Sequence, residues 1–352
     1  MTRVWRIPGT GAGTARHDGH VDPVDALRET AFWLERARAD THRVQAYRRA
    51  AAVVAALPDD ERERRARTGT WTDLAGIGPK TAAVIAESFN GLPQYLADLR
   101  RDAEPIGGGA LRQALRGDLH THSDWSDGGS SIEEMMTVAA ALGHEYCALT
   151  DHSPRLTVAR GLTAERLRQQ LDVVAELRER IAPMRILTGI EVDILEDGSL
   201  DQEPGLLAEL DIVVASVHSK LRTERGAMTR RMLAAVENPL VDVFGHPTGR
   251  LVPGGRGTRP ESAFDAERVF AACRDAGTAV EINSRPERRD PPRRLIELAR
   301  DLGCLFSIDT DAHAPGQLAW QGYGCERAEA CGVDAESVVD TWPLDRLLAW
   351  AH

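Results

Sequence analysis

Eight residues able to ligate a metal recur at the ends of short apolar runs: His120, His122, His152, Glu191, His218, His246, Asp311 and His313. Imidazole and carboxylate without thiolate make a donor set suited to Zn, Mn or Fe rather than to an all-oxygen calcium site. His120 and His122 are two residues apart, as are Asp311 and His313. On an extended strand such pairs project to one side and can chelate an ion from one face. Several divalent ions held close together neutralise the non-bridging oxygens of a phosphoester, acidify a water to hydroxide near neutral pH and stabilise the leaving oxygen. Hydrolysis of a phosphoester is therefore the expected reaction. A lone histidine carries little weight, because most are structural or surface groups. Six of the eleven sharing one kind of position carry far more. His17, His20, His42, His144 and His352 lie outside the pattern and are expected to be solvent-exposed or helix-capping.

The elements that must position these groups are seven β-type runs, at residues 117–122, 146–151, 185–194, 211–218, 241–246, 279–284 and 304–313. Amphipathic helical stretches such as SIEEMMTVAAALG and AERLRQQLDVVAELRERIA separate them. Strand alternating with helix predicts an α/β fold with a parallel sheet, and seven such units in this length favour a closed barrel. The C-terminal strand ends of a barrel converge on one mouth, which brings residues distant in sequence together. The run at 279–284 is the one that ends without a metal ligand; its Asn283 and the following Arg285 are expected to contact substrate instead. Lys220, just past His218, and Arg250, just past His246, are candidates to bind a substrate phosphate, although either could be a solvated loop charge. Asp151 is expected to support its neighbour His152 by a hydrogen bond rather than to ligate. The Gly-rich segment 254–259 lacks the strand-to-helix setting of a phosphate loop and reads as a mobile rim.

The chain has 352 residues, 42% hydrophobic and 28% charged, enough to bury one large core and a smaller one. Apolar runs are too short for a bilayer span and the N-terminus lacks the apolar block of a signal peptide, so a cytoplasmic location is expected and no membrane partner. The five cysteines form no C-x-x-C pair and read as reduced, mostly buried thiols. Net charge is −11, but residues 1–105 are close to neutral and the acidity sits in the remainder. The organisation expected is a flexible stretch at 1–20, a small all-α domain at 21–104, a Pro- and Gly-rich linker at 105–116 and the barrel at 117–352. Within the small domain, Asp22 and Pro23 start a helix carrying Val24, Leu27, Ala31 and Leu34 on one face, and a second carries Val44, Tyr47, Ala51, Val54 and Leu57. TDLAGIGPKTAAVIAESF then reads as two short helices joined at Gly76-Ile77-Gly78.

The segments GDLHTHSDWSDG, LTDHS, GIEVDI, ASVHS, FGHPTGR, EINS and DTDAH resemble, in order, the successive motifs of the PHP (polymerase and histidinol phosphatase) family, across residues 115–350. The resemblance implies a distorted seven-stranded (β/α)7 barrel holding three divalent metal ions. It implies that His120, His122, Glu191 and Asp311 hold one ion, with Glu191 bridging to a second held by His218 and His246. Asp127, His152 and His313 would hold the third, with Asp124 close to Asp127 in the same loop. Glu191, Asp311, Lys220 and Arg250 are then the expected catalytic groups.

LAGIGPKTA resembles the hairpin of a helix-hairpin-helix, in which glycines let backbone N–H groups approach a phosphate and Lys80 adds a point charge. Residues 24–100 are similar to the small N-terminal domain of family X DNA polymerases, whose bacterial members end in a PHP domain. Here only the Gly-rich linker stands where fingers and palm would be, so polymerase activity is not expected. Gly76, Gly78, Lys80, Arg48 and Arg49, with Arg43, form the expected DNA face; the contrary reading is a packing module that touches no DNA. A Schiff-base role for Lys80 would require a lowered amine pKa. The function expected first is a 3′-5′ exonuclease, 3′-phosphatase or abasic-site phosphodiesterase. A small-molecule phosphomonoesterase resembling histidinol phosphatase stands second, and a non-catalytic DNA-binding scaffold third.

Overall fold

The computed structural model describes residues 20–253 and 257–352, so the expectation for 1–19, His17 included, and half of that for 254–259 lie outside the described residues. The chain divides into two compact units near residue 105.

The first unit is all-helical. Helix α1 (Pro23–Arg36) starts where Asp22 accepts from the Val24 and Asp25 amides and Pro23 fills the first turn, a cap worth about 1 kcal/mol. Helix α2 (Thr41–Ala55) packs on it, and Leu27, Ala31, Leu34, Tyr47, Ala51 and Val54 form the core with Trp71, Val84, Ile85 and Leu96. Helix α3 (Asp59–Thr68) was not legible in the sequence: it buries no residue and is held by ion pairs along its own surface, Glu61 with Arg64 and Arg65 among them. Of the two short helices expected around the hairpin, the first is only a single turn, Trp71–Asp73, because Gly76 turns the chain with φ +93°. The second is α4 (Pro79–Ser88), followed by α5 (Gln94–Asp102). Two nearly buried carboxylates, Glu29 and Glu35, pair with Arg100 at 2.6 Å and Arg48 at 2.7 Å.

The expected linker is not a loop throughout. It contains α6 (Gly109–Ala114), whose Leu111, with Leu115 just beyond, joins the barrel core. Gly108 sits at φ +113°, and a Cβ there would come within 3.1 Å of the Gly322 Cα. The glycines serve a close approach rather than freedom of the chain.

The second unit is the barrel. Strands β1 (Gly117–Asp118), β2 (Tyr146–Leu149), β3 (Arg185–Asp193), β4 (Ile212–Ser216), β5 (Val243–Phe244), β6 (Ala279–Glu281) and β7 (Phe306–Ser307) are all parallel and lie side by side in chain order. Helices α7 (Ile132–Ala141), α8 (Ala164–Ile181), α9 (Pro204–Leu207), α10 (Arg225–Val236), α11 (Ala266–Ala276) and α12 (Arg293–Leu302) fill the crossovers; α13 (Gln321–Ala330) and α14 (Leu344–Trp350) follow β7. Every strand is almost wholly buried, as a parallel sheet covered by helices requires. The longest, β3, pairs with β2 through residues 185–188 and with β4 through 189–193. The first and last strands meet only beyond their ends, at a parallel bridge between Thr121 and Ala312 reinforced by the His122 amide donating to the Ala312 carbonyl at 2.8 Å. The architecture is thus a distorted (β/α)7 barrel closed by a narrow seam. All five cysteines are buried free thiols, as expected. Among the described residues no helix is long and apolar enough to cross a membrane.

Candidate metal centre

The seam brings the first pair of candidate ligands beside the last. His120 and His122 flank Thr121 on one side, Asp311 and His313 flank Ala312 on the other, and β3 delivers Glu191 to the middle. The Glu191 carboxylate is buried, with Oε2 lying 3.3 Å from His120 Nε2, 3.6 Å from His122 Nε2 and 2.8 Å from His152 Nδ1. Its Oε1 lies 3.1 Å from His218 Nε2 and 2.8 Å from His246 Nε2. Five imidazoles from four strand ends therefore surround one carboxylate. Asp127 lies 3.4 Å from His152 and 3.2 Å from His313, whereas Asp124 is exposed and outside the cluster.

Ligand atoms within 4.8 Å of one another form three overlapping groups: His122, Asp127, His152 and His313; His120, His122 and Asp311; and His152, Glu191 and His218. His122 belongs to two of them, and His246 reaches the centre through Glu191. The donor set was also tested by what it leaves unpartnered. His120 Nε2, both nitrogens of His122, His152 Nδ1, His218 Nε2 and Glu191 Oε2 are buried without a hydrogen bond. Several sit close to one another yet too far out of line to bond. Buried polar groups are normally satisfied, so lone pairs converging on the same space without partners fit cations between them.

Electrostatics say the same. Burial opposes ionisation of Glu191, yet His218, His120 and His152 hold its carboxyl well below the usual range. Burial likewise opposes a charge on His120, but Glu191 and Glu281 outweigh it and raise its pKa well above the ordinary value. His122 moves the other way, pushed well down by burial and by His313 and His152. Against burial, Glu191 and Asp193 raise His218 to about 9, while burial and the Arg288 charge lower His246 to about 4. Imidazoles and carboxylates this close and this buried shift one another in opposite directions, an environment that suits a metal site.

Three groups that the sequence reading did not select brace the ligands. Glu281, buried at the end of β6, takes the His120 Nδ1 at 2.6 Å through one oxygen and the His246 backbone N–H through the other. Asp193 accepts from the His218 amide at 3.1 Å and lies 3.3 Å from its Nδ1. An ionised carboxylate only accepts, so the proton stays on Nδ1 and the Nε2 lone pair faces the centre. Arg288 donates to Asp311 at 2.9 Å and, with Arg285, keeps that carboxyl well down against burial. The signals were visible as alternation: Glu281 is two before Asn283 and Asp193 two after Glu191, the spacing that puts residues on one face of a strand. His246 and Asp311 also carry positive φ, +24° and +51°, backbone strain of about 1–3 kcal/mol each that the bracing must hold.

Other expected site residues take different parts. Arg250 donates to the Arg288 and Arg289 carbonyls and pairs with Glu261 at 3.6 Å, so it is engaged in holding the rim rather than open to a phosphate. Asn283 is buried between Glu281 and Asp311, 3.2 Å from each. Arg285 is buried, donates to the Asp311 carbonyl at 2.8 Å and lies 2.9 Å from His313 Nδ1, which is itself 2.8 Å from the Asp311 carbonyl. Both support ligands and do not face outward. Lys220 is exposed, with φ +54°. Asp151 braces the Asp127 loop through Ser123, Ser126 and Gln170 rather than His152 itself. His144, expected outside, is buried, its imidazole pushed down to about 3 by burial and by Arg112. His352 packs its ring on Asp242 at 3.1 Å, while His20 and His42 are exposed as expected. In the helical unit Gly76, Gly78, Lys80 and Arg49 are exposed around a buried Ile77. Arg48 is instead consumed by its two bonds to Glu35.

Comparison with known proteins agrees with this geometry. A helix-hairpin-helix domain profile matches residues 20–91 and a PHP domain profile matches residues 118–285. A probable phosphatase of Thermoanaerobacter sp. (strain X514) is 30% identical over 235 residues, 64% of this chain and 89% of the relative. The chain belongs to the PHP family. Asp311 and His313 of this PHP chain lie beyond the matched segment and come to the site by the seam alone. The DNA polymerase/3′-5′ exonuclease PolX of Bacillus subtilis is 43% identical over 199 residues, 56% of this chain; the PHP chain spans only 34% of that relative's length. A Lactococcus lactis histidinol phosphate phosphatase, solved with zinc, L-histidinol and phosphate, gives a TM-score of 0.43 at 19% identity, over 62% of this chain and 95% of that one.

Proposed function

We propose that this PHP protein is a metal-dependent phosphoesterase acting on DNA ends, with the barrel supplying hydrolysis and the helical unit supplying affinity for DNA. The observation that carries the reading is the union in one chain of a converging His/carboxylate centre and an exposed Gly76-Ile77-Gly78 hairpin bearing Lys80. The likeness to PolX, named for a 3′-5′ exonuclease, supports it. His120, His122, Asp127, His152, Glu191, His218, His246, Asp311 and His313 would hold three divalent ions, Zn, Mn or Fe. When bound, such ions would supply charge neutralisation at the phosphate and an acidified water. The chain's own residues do the rest: Glu281 and Asp193 orient His120 and His218, Asn283, Arg285 and Arg288 hold Asp311 ionised, and Asp151 sets the loop that carries Asp127.

The test is a substrate panel on the full chain with its metal content measured. Oligonucleotides with 3′-hydroxyl, 3′-phosphate or abasic ends are compared with histidinol phosphate and nucleotide monophosphates. Release from oligonucleotides, abolished by Glu191→Gln and by chelation, is the expected result. Turnover of the small monoesters alone would replace it with the second reading, a small-molecule phosphomonoesterase, which the probable-phosphatase relatives favour. Metal binding without turnover of any substrate would leave the scaffold.

A further inference from the structure

We infer that Arg288 is a phosphate-binding residue of this centre, the cation that grips a non-bridging oxygen of the scissile group; this rests on the phosphoesterase reading above. The residue is nearly buried, its side chain only 10% exposed. Burial of an arginine is costly unless it is paired, and among the described residues this side chain has a single hydrogen-bond partner: Nε donates to Asp311 Oδ2 at 2.9 Å. Among the described residues neither Nη atom has a hydrogen-bond partner, and neither is fully enclosed. Three neighbouring arginines are differently engaged. Arg285 is tied to Glu287, Asp311 and His313. Arg250 and Arg327 spend their donors on carbonyls, Arg250 on those of Arg288 and Arg289 and Arg327 on those of Asn283 and Pro291.

A guanidinium held through Nε keeps its Nη pair in a fixed plane, the arrangement that meets two oxygens of a phosphate at once. Asp311 thereby sets the direction of the fork, and the cation stands next to a carboxylate of the candidate metal centre. It is also close enough to His246 to help lower that imidazole. The loop that carries Arg288 is rigidly built for the purpose. Arg288 N–H donates to the Arg285 carbonyl at 3.0 Å, and Asp290 takes the Thr248 amide at 3.1 Å, linking the β6 loop to the β5 loop. Lys220, in contrast, is an exposed loop charge, its backbone held at the carbonyl by the Thr223 amide and hydroxyl. The sequence suggested phosphate binding by Lys220 and Arg250 and substrate contact by Asn283 and Arg285; the geometry points instead to Arg288, three residues past Arg285.

The experiment titrates inorganic phosphate into the metal-loaded full chain by calorimetry, for the wild type, Arg288→Lys and Arg288→Met, with metal content and turnover measured on the same samples. At wild-type metal content, Arg288→Met is expected to weaken phosphate binding at least 10-fold and to raise KM for the phosphoester, with Arg288→Lys in between because it keeps the charge and loses the fork. Unchanged phosphate affinity per metal-loaded site in both variants overturns the proposal, and accompanying loss of metal would make Arg288 a positioning residue for Asp311 only. Wild-type protein that neither binds phosphate nor cleaves any ester overturns the phosphoesterase reading together with this one, whereas an active wild type with indifferent variants overturns this one alone.

Discussion

Replacing Glu281 by Gln should cost the centre metal affinity although Glu281 touches no candidate ion site directly. The carboxylate accepts on both oxygens, from His120 Nδ1 at 2.6 Å and from the His246 amide, and Asn283 Nδ2 stands 3.2 Å from the second oxygen. A glutamine has one acceptor and one donor end. With its oxygen toward His120, its amide faces the His246 N–H and the Asn283 amide, donor against donor. Turned over, it satisfies His246 but presents N–H to His120 Nδ1, moving the imidazole proton to Nε2 and removing the lone pair that faces the centre. In a fully buried position one mismatched donor costs about 1–3 kcal/mol, and loss of such an outer hydrogen bond lowers metal affinity by roughly 10–100-fold. The two estimates agree, since tenfold is about 1.4 kcal/mol. Competition against a chromophoric chelator measures the affinity, and denaturant unfolding of the metal-free protein measures the remainder. Glu281→Gln protein that competes for metal as well as the wild type would refute the argument that this carboxylate fixes the His120 tautomer.

Three further outcomes follow from particular contacts. Arg48→Ala should destabilise the helical unit by about 1–3 kcal/mol by taking the guanidinium from the buried Glu35, which keeps the Gly316 amide, measured by urea unfolding, whereas Lys80→Ala should leave stability unchanged. In fluorescence anisotropy Lys80→Ala should weaken oligonucleotide binding and reduce the salt slope by about one; equal binding at all salt concentrations would remove the hairpin from the DNA face. His144 has a folded pKa of about 3, below its unfolded value, so the neutral ring favours folding above pH 6.5 and that contribution is lost as pH falls toward 3. Between pH 6.5 and 5 the loss is about 2 kcal/mol at 1.36 kcal/mol per unit. His144→Leu should flatten the acid side of the stability profile by that amount relative to the wild type, and parallel profiles would show that burial does not hold this ring neutral.

Much of the site was legible because strand ends carry their own signature. An apolar run that stops at His, Asp or Glu names both the strand and the group at its mouth, and six such endings located the ligands now seen around Glu191. The bracing groups were harder to see. Glu281 sits inside an apolar run, where a carboxylate has no meaning until His120 is known to lie beside it across 161 residues of sequence. Arg250 and Arg285 failed for the converse reason: position after a ligand says nothing of which carbonyls and carboxylates will consume a guanidinium's donors. Helix α3 left no trace because a helix that buries nothing has no periodicity to read, and the glycines of 107–109 looked like a linker because sequence does not separate freedom of the backbone from close packing.

The seam between Thr121 and Ala312 bears on how the metal-free protein would behave. Strands β1 and β7 are two residues each, and just beyond them one backbone bridge joins the two ends, with the Leu119 amide donating to Asp309 and Thr310 donating to Asp118. Ions held by His120, His122 and Asp311 would clasp this junction from both sides, so the same atoms would serve hydrolysis and ring closure. Removing them would leave the junction to that bridge and the Asp118 and Asp309 side-chain bonds, and a junction that opened would expose the kind of edge on which β proteins add strands from other chains. Chelation should therefore speed hydrogen exchange first at the His122 amide, which donates to Ala312, and shorten the protein's shelf life through aggregation before its core unfolds.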